Sequence, residues 1–140
     1  MTTSIKTVAV CGAGGTMGAG IALVAARAGF RTLCFDMQAA GLAASRKRAE
    51  RFFDKSVERG KMTQEQRDAA LANLVDTTDL NALAEADLVI EAIFENLEVK
   101  RELFAKLNTV CPEHTIFASN TSTLSITEIA SGCGREDRVV

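Results

Sequence analysis

The sequence predicts an α/β domain in which helices cover both faces of a mainly parallel sheet. Three observations support this fold class: short apolar runs alternate with helix-forming segments, a glycine-rich loop follows the first run, and an acidic residue ends the second. Alternating strands and helices imply right-handed crossovers between parallel strands. Since the 140 residues contain no internal repeat and no low-complexity linker, we expect residues 1–140 to form one doubly wound domain of Rossmann type.

The predicted elements follow the change from short apolar runs to longer stretches of helix-forming residues. We expect strands at 7–11, 31–36, 86–93 and 115–119, the start of another at 138–140, and helices near 16–28, 38–59, 97–107 and 125–131. A further helix should begin at Thr63, because Thr63 and Gln66 have the spacing of a capping box. Gly29 and Gly60 stand where a glycine commonly ends a helix.

The composition argues against several classes of protein. The formal net charge is −2 and the chain contains neither Trp nor Tyr, which argues against nucleic-acid binding. The N-terminus lacks the pattern of an export signal, and no apolar stretch is long enough to span a membrane. Cysteines 11, 34, 111 and 133 form no close pair, and His114 is the single histidine. We therefore expect no metal site, a reducing compartment and a cytoplasmic location.

The stretch CGAGGTMGAG, residues 11–20, has the features of a dinucleotide-binding turn. Glycines between a buried strand and a helix let the backbone approach a pyrophosphate, and the start of the helix offers free N–H groups and a positive dipole end. Asp36, at the end of the second predicted strand, can accept hydrogen bonds from ribose hydroxyls and would repel a 2′-phosphate. Loop and acid together favour NAD over NADP. The alternative is that Asp36 only caps the following helix.

The spacing of the loop glycines is irregular. The usual fingerprint has glycines at relative positions one, three and six. Counted from Gly12 and Gly14, the last position falls on Met17, and counted back from Gly18 the first falls on Ala13. The loop therefore holds one residue more than the standard turn. We expect a local bulge that leaves strand and helix in their usual registers, with Gly18 keeping the close contact between them.

Three segments resemble the NAD-binding domain of the 3-hydroxyacyl-CoA dehydrogenases, and the 3-hydroxybutyryl-CoA branch is most similar. They read VAVCGAGGTMGAGIA, DLVIEAIFENLEVKRELF and IFASNTSTLSITEIA, and the resemblance covers essentially the whole chain. Members of the family normally have Gly-x-Gly-Thr-Met-Gly, so this sequence carries an additional glycine at position 14 or 15. The resemblance implies reversible hydride transfer between NAD and the C3 hydroxyl of a 3-hydroxyacyl-CoA.

The resemblance also implies site residues. The cofactor-binding positions are Gly12, Gly14, Gly15, Thr16, Met17, Gly18, Asp36, Glu95 and Lys100. Ser122 matches the catalytic serine that hydrogen-bonds the reacting oxygen of the substrate near the nicotinamide, and Lys55 and Arg59 match positions that contact coenzyme A.

Each of these assignments has an alternative that the residues alone leave open. Lys55 and Arg59 share one helical face in a stretch, 46–61, with seven basic and three acidic residues, which suits CoA phosphates but also suits a solvated surface. SNTST, which contains Ser122, is also typical of a turn that caps a helix. Glu95 could equally be a surface acid near the start of a helix.

The resemblance implies further residues beyond this chain. The catalytic histidine of the family would follow about three residues after Val140 if this chain keeps the fold's usual spacing, and its partner acid and a helical dimerisation domain would come later. We therefore expect the chain alone to bind NAD without turnover and the full-length protein to be a homodimeric enzyme. The alternatives are a nucleotide-sensing module without catalysis, a sugar-acid dehydrogenase or a structural relative. His114 does not match the catalytic histidine, and we expect it in a loop.

Overall fold

The structure is a computed structural model that describes residues 4–93 and 96–119. The strands are β1 (Thr7–Cys11), β2 (Arg31–Phe35), β3 (Leu74–Thr77), β4 (Leu88–Glu91) and β5 (Ile116–Ser119). The helices are α1 (Thr16–Arg27), α2 (Ala39–Glu58), α3 (Gln64–Asn73) and α4 (Leu97–Val110), with a 3₁₀ helix at Leu80–Glu85.

The described strands form a parallel sheet in the order β3-β2-β1-β4-β5. The order reverses between β1 and β4, and in such sheets ligands bind in the crevice at the carboxyl ends of the strands flanking that point. Cys11 pairs with Phe35 on one side and with Glu91 on the other, and Glu91 pairs with Ser119. The glycine loop and Asp36, which follow β1 and β2 directly, therefore leave the sheet at the same edge.

Apolar side chains fill both faces of the sheet. The cluster on the α4 face includes Ala9, Leu33, Phe35, Leu83, Val89, Phe104, Leu107 and Phe117. The cluster on the face of α1, α2 and α3 includes Val8, Val10, Ala22, Ala26, Leu42, Phe53 and Leu74. Because successive residues of β1 enter opposite clusters, this strand lies in the centre of the domain. The predicted α/β class with helices on both faces is confirmed.

The caps predicted from the sequence are present. The side chains of Thr63 and Gln66 each accept a hydrogen bond from the other residue's backbone N–H, at 3.1 and 2.9 Å respectively. Gly29 and Gly60 have φ angles of +100° and +70°, a region that glycine enters without steric cost. These residues therefore end α1 and α2 as expected.

Strand β3 was not predicted. Its four residues follow α3 without an intervening breaker, and only Leu74 among them is buried, because β3 is the edge strand beside β2. So short a run has too little periodicity to separate it from the end of the helix. Helix α4 also continues to Val110, beyond the predicted end at 107. The predicted helix 125–131 and strand 138–140 lie outside the described residues.

The side chains of Cys11, Cys34 and Cys111 are buried. Burial raises the pKa of Cys34 to about 12 and raises the pKa of Cys11 further, so both are protonated near neutral pH. Within 4–93 and 96–119 no three potential metal ligands come together. None of the helices described is both long and apolar enough to cross a membrane.

Candidate cofactor site

Gly12 begins the glycine loop, residues 12–18, at the carboxyl end of β1. Its φ angle is +88°, and its N–H donates to the carbonyl oxygen of Phe35 at 3.0 Å. A Cβ at this position would lie 2.7 Å from the carbonyl oxygen of Ala92. Both the backbone conformation and the lack of space therefore require glycine between β2 and β4.

Gly18 brings helix α1 directly against the end of β1. A Cβ on Gly18 would lie 2.1 Å from the carbonyl oxygen of Gly12, so any larger residue would push the helix away from the strand. Gly12 and Gly18 are therefore the outer glycines of the fingerprint, and five residues lie between them where the usual turn has four. The expected helix–strand contact at Gly18 is confirmed.

The two middle glycines differ in their surroundings. A Cβ on Gly14 would lie 2.8 Å from Asp36 Oδ2 and 3.1 Å from the carbonyl carbon of Gly41. Gly15 has the extended conformation of a helix N-cap, with φ −87° and ψ 167°. A Cβ there would meet only the Gly12 carbonyl oxygen, at 3.4 Å. Of the two middle glycines, Gly15 is thus the one that tolerates a side chain.

The start of helix α1 supplies backbone donors. The first helical hydrogen bond runs from the Ala19 N–H to the Gly15 carbonyl at 2.9 Å. The N–H groups of Thr16, Met17 and Gly18 precede it and have no acceptor four residues back within the helix. Together with the positive end of the helix dipole, they form an arrangement suited to a phosphate group.

Asp36 lies half-buried at the end of β2, opposite this loop. Its Oδ2 accepts a hydrogen bond from the Gly14 N–H at 2.9 Å, and its Oδ1 accepts one from the Gln38 N–H at 2.9 Å. Gln38 is the N-cap residue of α2 and its own side chain makes no capping bond. Asp36 therefore also stabilises the start of α2, which is the role that the alternative interpretation of the sequence gave it. A carboxylate has about four acceptor positions, and these two backbone donors occupy one on each oxygen.

A buried ion pair lies on the other side of β1. Lys100, on the first turn of α4, and Glu91, at the end of β4, are both fully buried, with Lys100 Nζ 3.1 Å from Glu91 Oε1. The Ser119 hydroxyl donates to the same oxygen at 2.6 Å, and the Ile93 N–H donates to Oε2 at 2.7 Å. Buried charges need partners of this kind, because their desolvation is costly.

Glu91 is the residue that sequence reasoning missed. The available signal was an acid at the end of the apolar run DLVIEAI, in a strand predicted to be buried. Lys100 was assigned to the cofactor through the resemblance, and the structure places it in this ion pair at the carboxyl edge. Glu95 and Ser122, the other residues assigned near the nicotinamide, lie outside the described residues.

The basic pair assigned to coenzyme A lies far from the glycine loop. Lys55 and Arg59 are exposed at the C-terminal end of α2, where Arg59 is the C-cap. Lys55 is sixteen residues beyond Ala39 (55 − 39), which is about 24 Å along the helix axis at 1.5 Å per residue. The structure therefore does not bring these two side chains together with Asp36, and their role remains a prediction.

His114 lies at the opposite edge of the sheet, in a turn before β5, as expected. Its Nε2 is 3.2 Å from Asp87 Oδ1, while Asp87 Oδ2 accepts the N–H groups of Lys6 and Thr7 at 2.9 and 3.0 Å. These two backbone donors, with a smaller contribution from His114, lower the pKa of Asp87. This cluster holds the starts of β1 and β4 together and is separate from the cofactor site.

A family model described as "3-hydroxyacyl-CoA dehydrogenase, NAD binding domain" matches residues 7–140. The chain belongs to this family. The resemblance predicted from its motifs is confirmed, and NAD is the cofactor of this domain.

Curated relatives and solved structures agree with this assignment. A 3-hydroxyadipyl-CoA dehydrogenase from Escherichia coli (strain K12) is 47% identical over 99% of this chain and 29% of its own length. A probable 3-hydroxybutyryl-CoA dehydrogenase from Bacillus subtilis is 42% identical over 97% of this chain and 47% of its own length. The crystal structure of a 3-hydroxybutyryl-CoA dehydrogenase from Escherichia coli K12 superposes with a TM-score of 0.95 at 47% identity, over 98% of this chain and 29% of that chain. The chain spans less than half the length of these proteins.

Proposed function

We propose that the full-length protein transfers a hydride reversibly between NAD and the C3 hydroxyl of a 3-hydroxyacyl-CoA, with 3-hydroxybutyryl-CoA as the expected substrate. The observation that carries this proposal is the placement of Asp36 and the start of α1 at the carboxyl ends of β2 and β1, beside the switch point of the sheet where a dinucleotide binds. The names of the relatives support the choice of a hydroxyacyl-CoA substrate.

The residues fit NAD, because Gly12 and Gly18 leave no room for a Cβ and so bring the start of α1 directly against the end of β1. The N–H groups of Thr16, Met17 and Gly18 would hold the pyrophosphate, and Asp36 would accept the ribose hydroxyls and repel a 2′-phosphate. The cofactor supplies the hydride acceptor, and the protein supplies position and proton transfer.

The buried ion pair fixes the end of β5 on the substrate side of the site. Ser119 is held by Glu91, and Ser122 follows three residues later in the sequence (122 − 119). We assign Ser122 to hydrogen-bond the reacting oxygen, with Glu95 and Lys100 on the cofactor and Lys55 and Arg59 on the CoA phosphates. A serine hydroxyl is a poor general base. The proton of the substrate is therefore assigned to a histidine outside residues 1–140, and this chain alone is expected to show negligible turnover.

The remaining assignments concern location and partners. We infer a cytoplasmic protein that binds neither nucleic acid nor membranes and whose full-length form is a homodimer. The net charge of −2 supports the absence of nucleic-acid binding, and the resemblance to dimeric dehydrogenases supports the homodimer.

The assignment of Asp36 is tested by nucleotide binding. NADH should bind the protein more tightly than NADPH in titration calorimetry, and Asp36→Ala should narrow that preference by about tenfold, the value of a hydrogen bond to a charged group. Glu50→Ala, which removes an exposed acid from α2, should leave the preference unchanged. Equal or tighter binding of NADPH by the unaltered protein would contradict the role of Asp36.

A further inference from the structure

We propose that the Gly14 N–H competes with the cofactor's adenosine ribose for the Asp36 carboxylate, because the lengthened loop places this N–H within hydrogen-bonding distance of the carboxylate. The inference rests on the proposed role of Asp36 in ribose binding. It adds that the additional loop residue weakens nucleotide binding in this protein.

The contact between Gly14 and Asp36 is tight. The Gly14 N–H donates to Asp36 Oδ2 at 2.9 Å, and a Cβ on Gly14 would lie 2.8 Å from the same oxygen. Not even a methyl group fits between the Gly14 backbone and this carboxylate. A ribose hydroxyl that donates to Oδ2 from the loop side must bring its own carbon atom into that space, so the loop has to withdraw before the hydroxyl can bind there.

The loop is also held against helix α2. The Ser45 hydroxyl donates to the carbonyl oxygen of Ala13 at 3.0 Å. A Cβ on Gly41 would lie 3.3 Å from the Cα atom of Gly14, so the two backbones are in direct contact. Three interactions therefore keep the loop on the α2 side: the Ser45 bond, the contact at Gly41 and the bond to Asp36.

The length of the loop explains why it reaches α2. Gly12 is fixed by its close contact with the Ala92 backbone and Gly18 by its close contact with the Gly12 backbone, so the additional residue must project from the short path between them. In the standard turn the middle glycine lets the backbone approach the pyrophosphate, whereas here Gly14 approaches Asp36. Gly15 has no positive φ, and in a chain that lacks it Gly14 would take its place as the donor to the Gly12 carbonyl and the N-cap of α1.

This arrangement predicts a conformational cost of binding. The apparent dissociation constant equals the intrinsic one divided by the fraction of molecules with the loop withdrawn. Any change that weakens the hold of the loop should therefore tighten nucleotide binding, although it removes an interaction from the free protein.

The main test deletes Gly15 and measures NADH and ADP-ribose affinity by titration calorimetry. The deletion should lower both dissociation constants by about 2- to 10-fold, the value of one hydrogen bond. The two gains should be equal, because the competition concerns only the adenosine half. Gly20→Ala keeps the loop length, lies outside the assigned cofactor positions and has nothing within 4 Å of its added methyl group, so it should leave both constants unchanged.

A second pair of variants tests the proposed competition if the variant that lacks Gly15 does not fold. Ser45→Ala removes the bond from α2 to the loop, whereas Ser56→Ala removes a bond of the same kind within α2, from Ser56 to the carbonyl of Phe52. Ser45→Ala should tighten NADH binding by about 2-fold, and Ser56→Ala should not. Unchanged or weaker NADH binding in the folded variants, Gly15 deletion or Ser45→Ala, would overturn the inference. A protein that binds neither NADH nor ADP-ribose would instead contradict the proposed function.

Discussion

Two carboxylates lie at the same edge of the sheet, on either side of β1, and they are held in different ways. Asp36, on the β2 side, is half-buried, and its partners are the backbone N–H groups of Gly14 and Gln38. Glu91, on the β4 side, is fully buried, and two of its three donors are the side chains of Lys100 and Ser119. A binding site built from backbone donors can keep its function when the length of its loop changes. A buried ion pair is strongly destabilised when one partner is removed.

Removal of Lys100 should have the largest effect on stability. Lys100→Met leaves the Glu91 carboxylate buried with its charge opposed only by hydrogen bonds, which should lower the free energy of unfolding by about 3–5 kcal/mol. Arg31→Met breaks an exposed ion pair with Glu85 and should cost less than about 1 kcal/mol. Urea unfolding of the two variants provides the measurement. Similar losses would mean that the buried pair is no more demanding than a surface pair.

The same contrast explains what the sequence could predict. The glycine loop and Asp36 were found because a backbone site depends on local spacing, which the sequence shows directly. The bond between Gly14 and Asp36 was not found, since it depends on the path of a loop with no standard length. Glu91 and Lys100 are adjacent only because β4 pairs beside β5 and α4 packs over them. Strand β3 was missed for a different reason, because four residues with a single buried side chain give too short a pattern.

The glycine loop offers a sharper comparison within one helix. Gly18→Ala would place a methyl group 2.1 Å from the Gly12 carbonyl oxygen, which should cost about 1–3 kcal/mol as overpacking and weaken NADH binding. Gly20, two residues later in α1, has nothing within 4 Å of its Cβ position. Gly20→Ala should therefore stabilise the helix by about 0.5–1 kcal/mol. Thermal unfolding and NADH titration measure both effects. Unchanged stability and NADH affinity in Gly18→Ala would contradict the close contact between α1 and the end of β1.

Asp87 provides a carboxylate remote from the site, at the opposite edge of the sheet. Its pKa is lowered chiefly by the N–H groups of Lys6 and Thr7, so its contribution to stability is present above the unfolded value of about 3.9. It is lost as the pH falls from there through the lower folded value. Asp87→Asn should therefore be less stable than the unaltered protein at pH 6, and the difference should shrink between pH 5 and pH 3. Urea unfolding across this range checks the sign, and a constant difference would contradict it.

The exposed end of α2 should show a smaller effect than the buried ion pair, because its charges are screened by solvent. Replacing Lys55 and Arg59 with Glu in the full-length protein should weaken acyl-CoA binding by about 1 kcal/mol per residue, and the loss should diminish with added salt. NADH affinity should stay constant, since about 24 Å of helix separates Lys55 from the start of α2 at 1.5 Å per residue.

The control is Lys106→Glu, which makes a similar charge reversal at an exposed position of α4, across the sheet from α2. It should leave acyl-CoA binding intact. Equal losses for acyl-CoA and NADH in the double variant would indicate a folding defect, and an equal loss in Lys106→Glu would indicate a general effect of net charge. A loss confined to acyl-CoA and to the α2 variants would extend the ligand-binding surface from the sheet edge to the far end of α2.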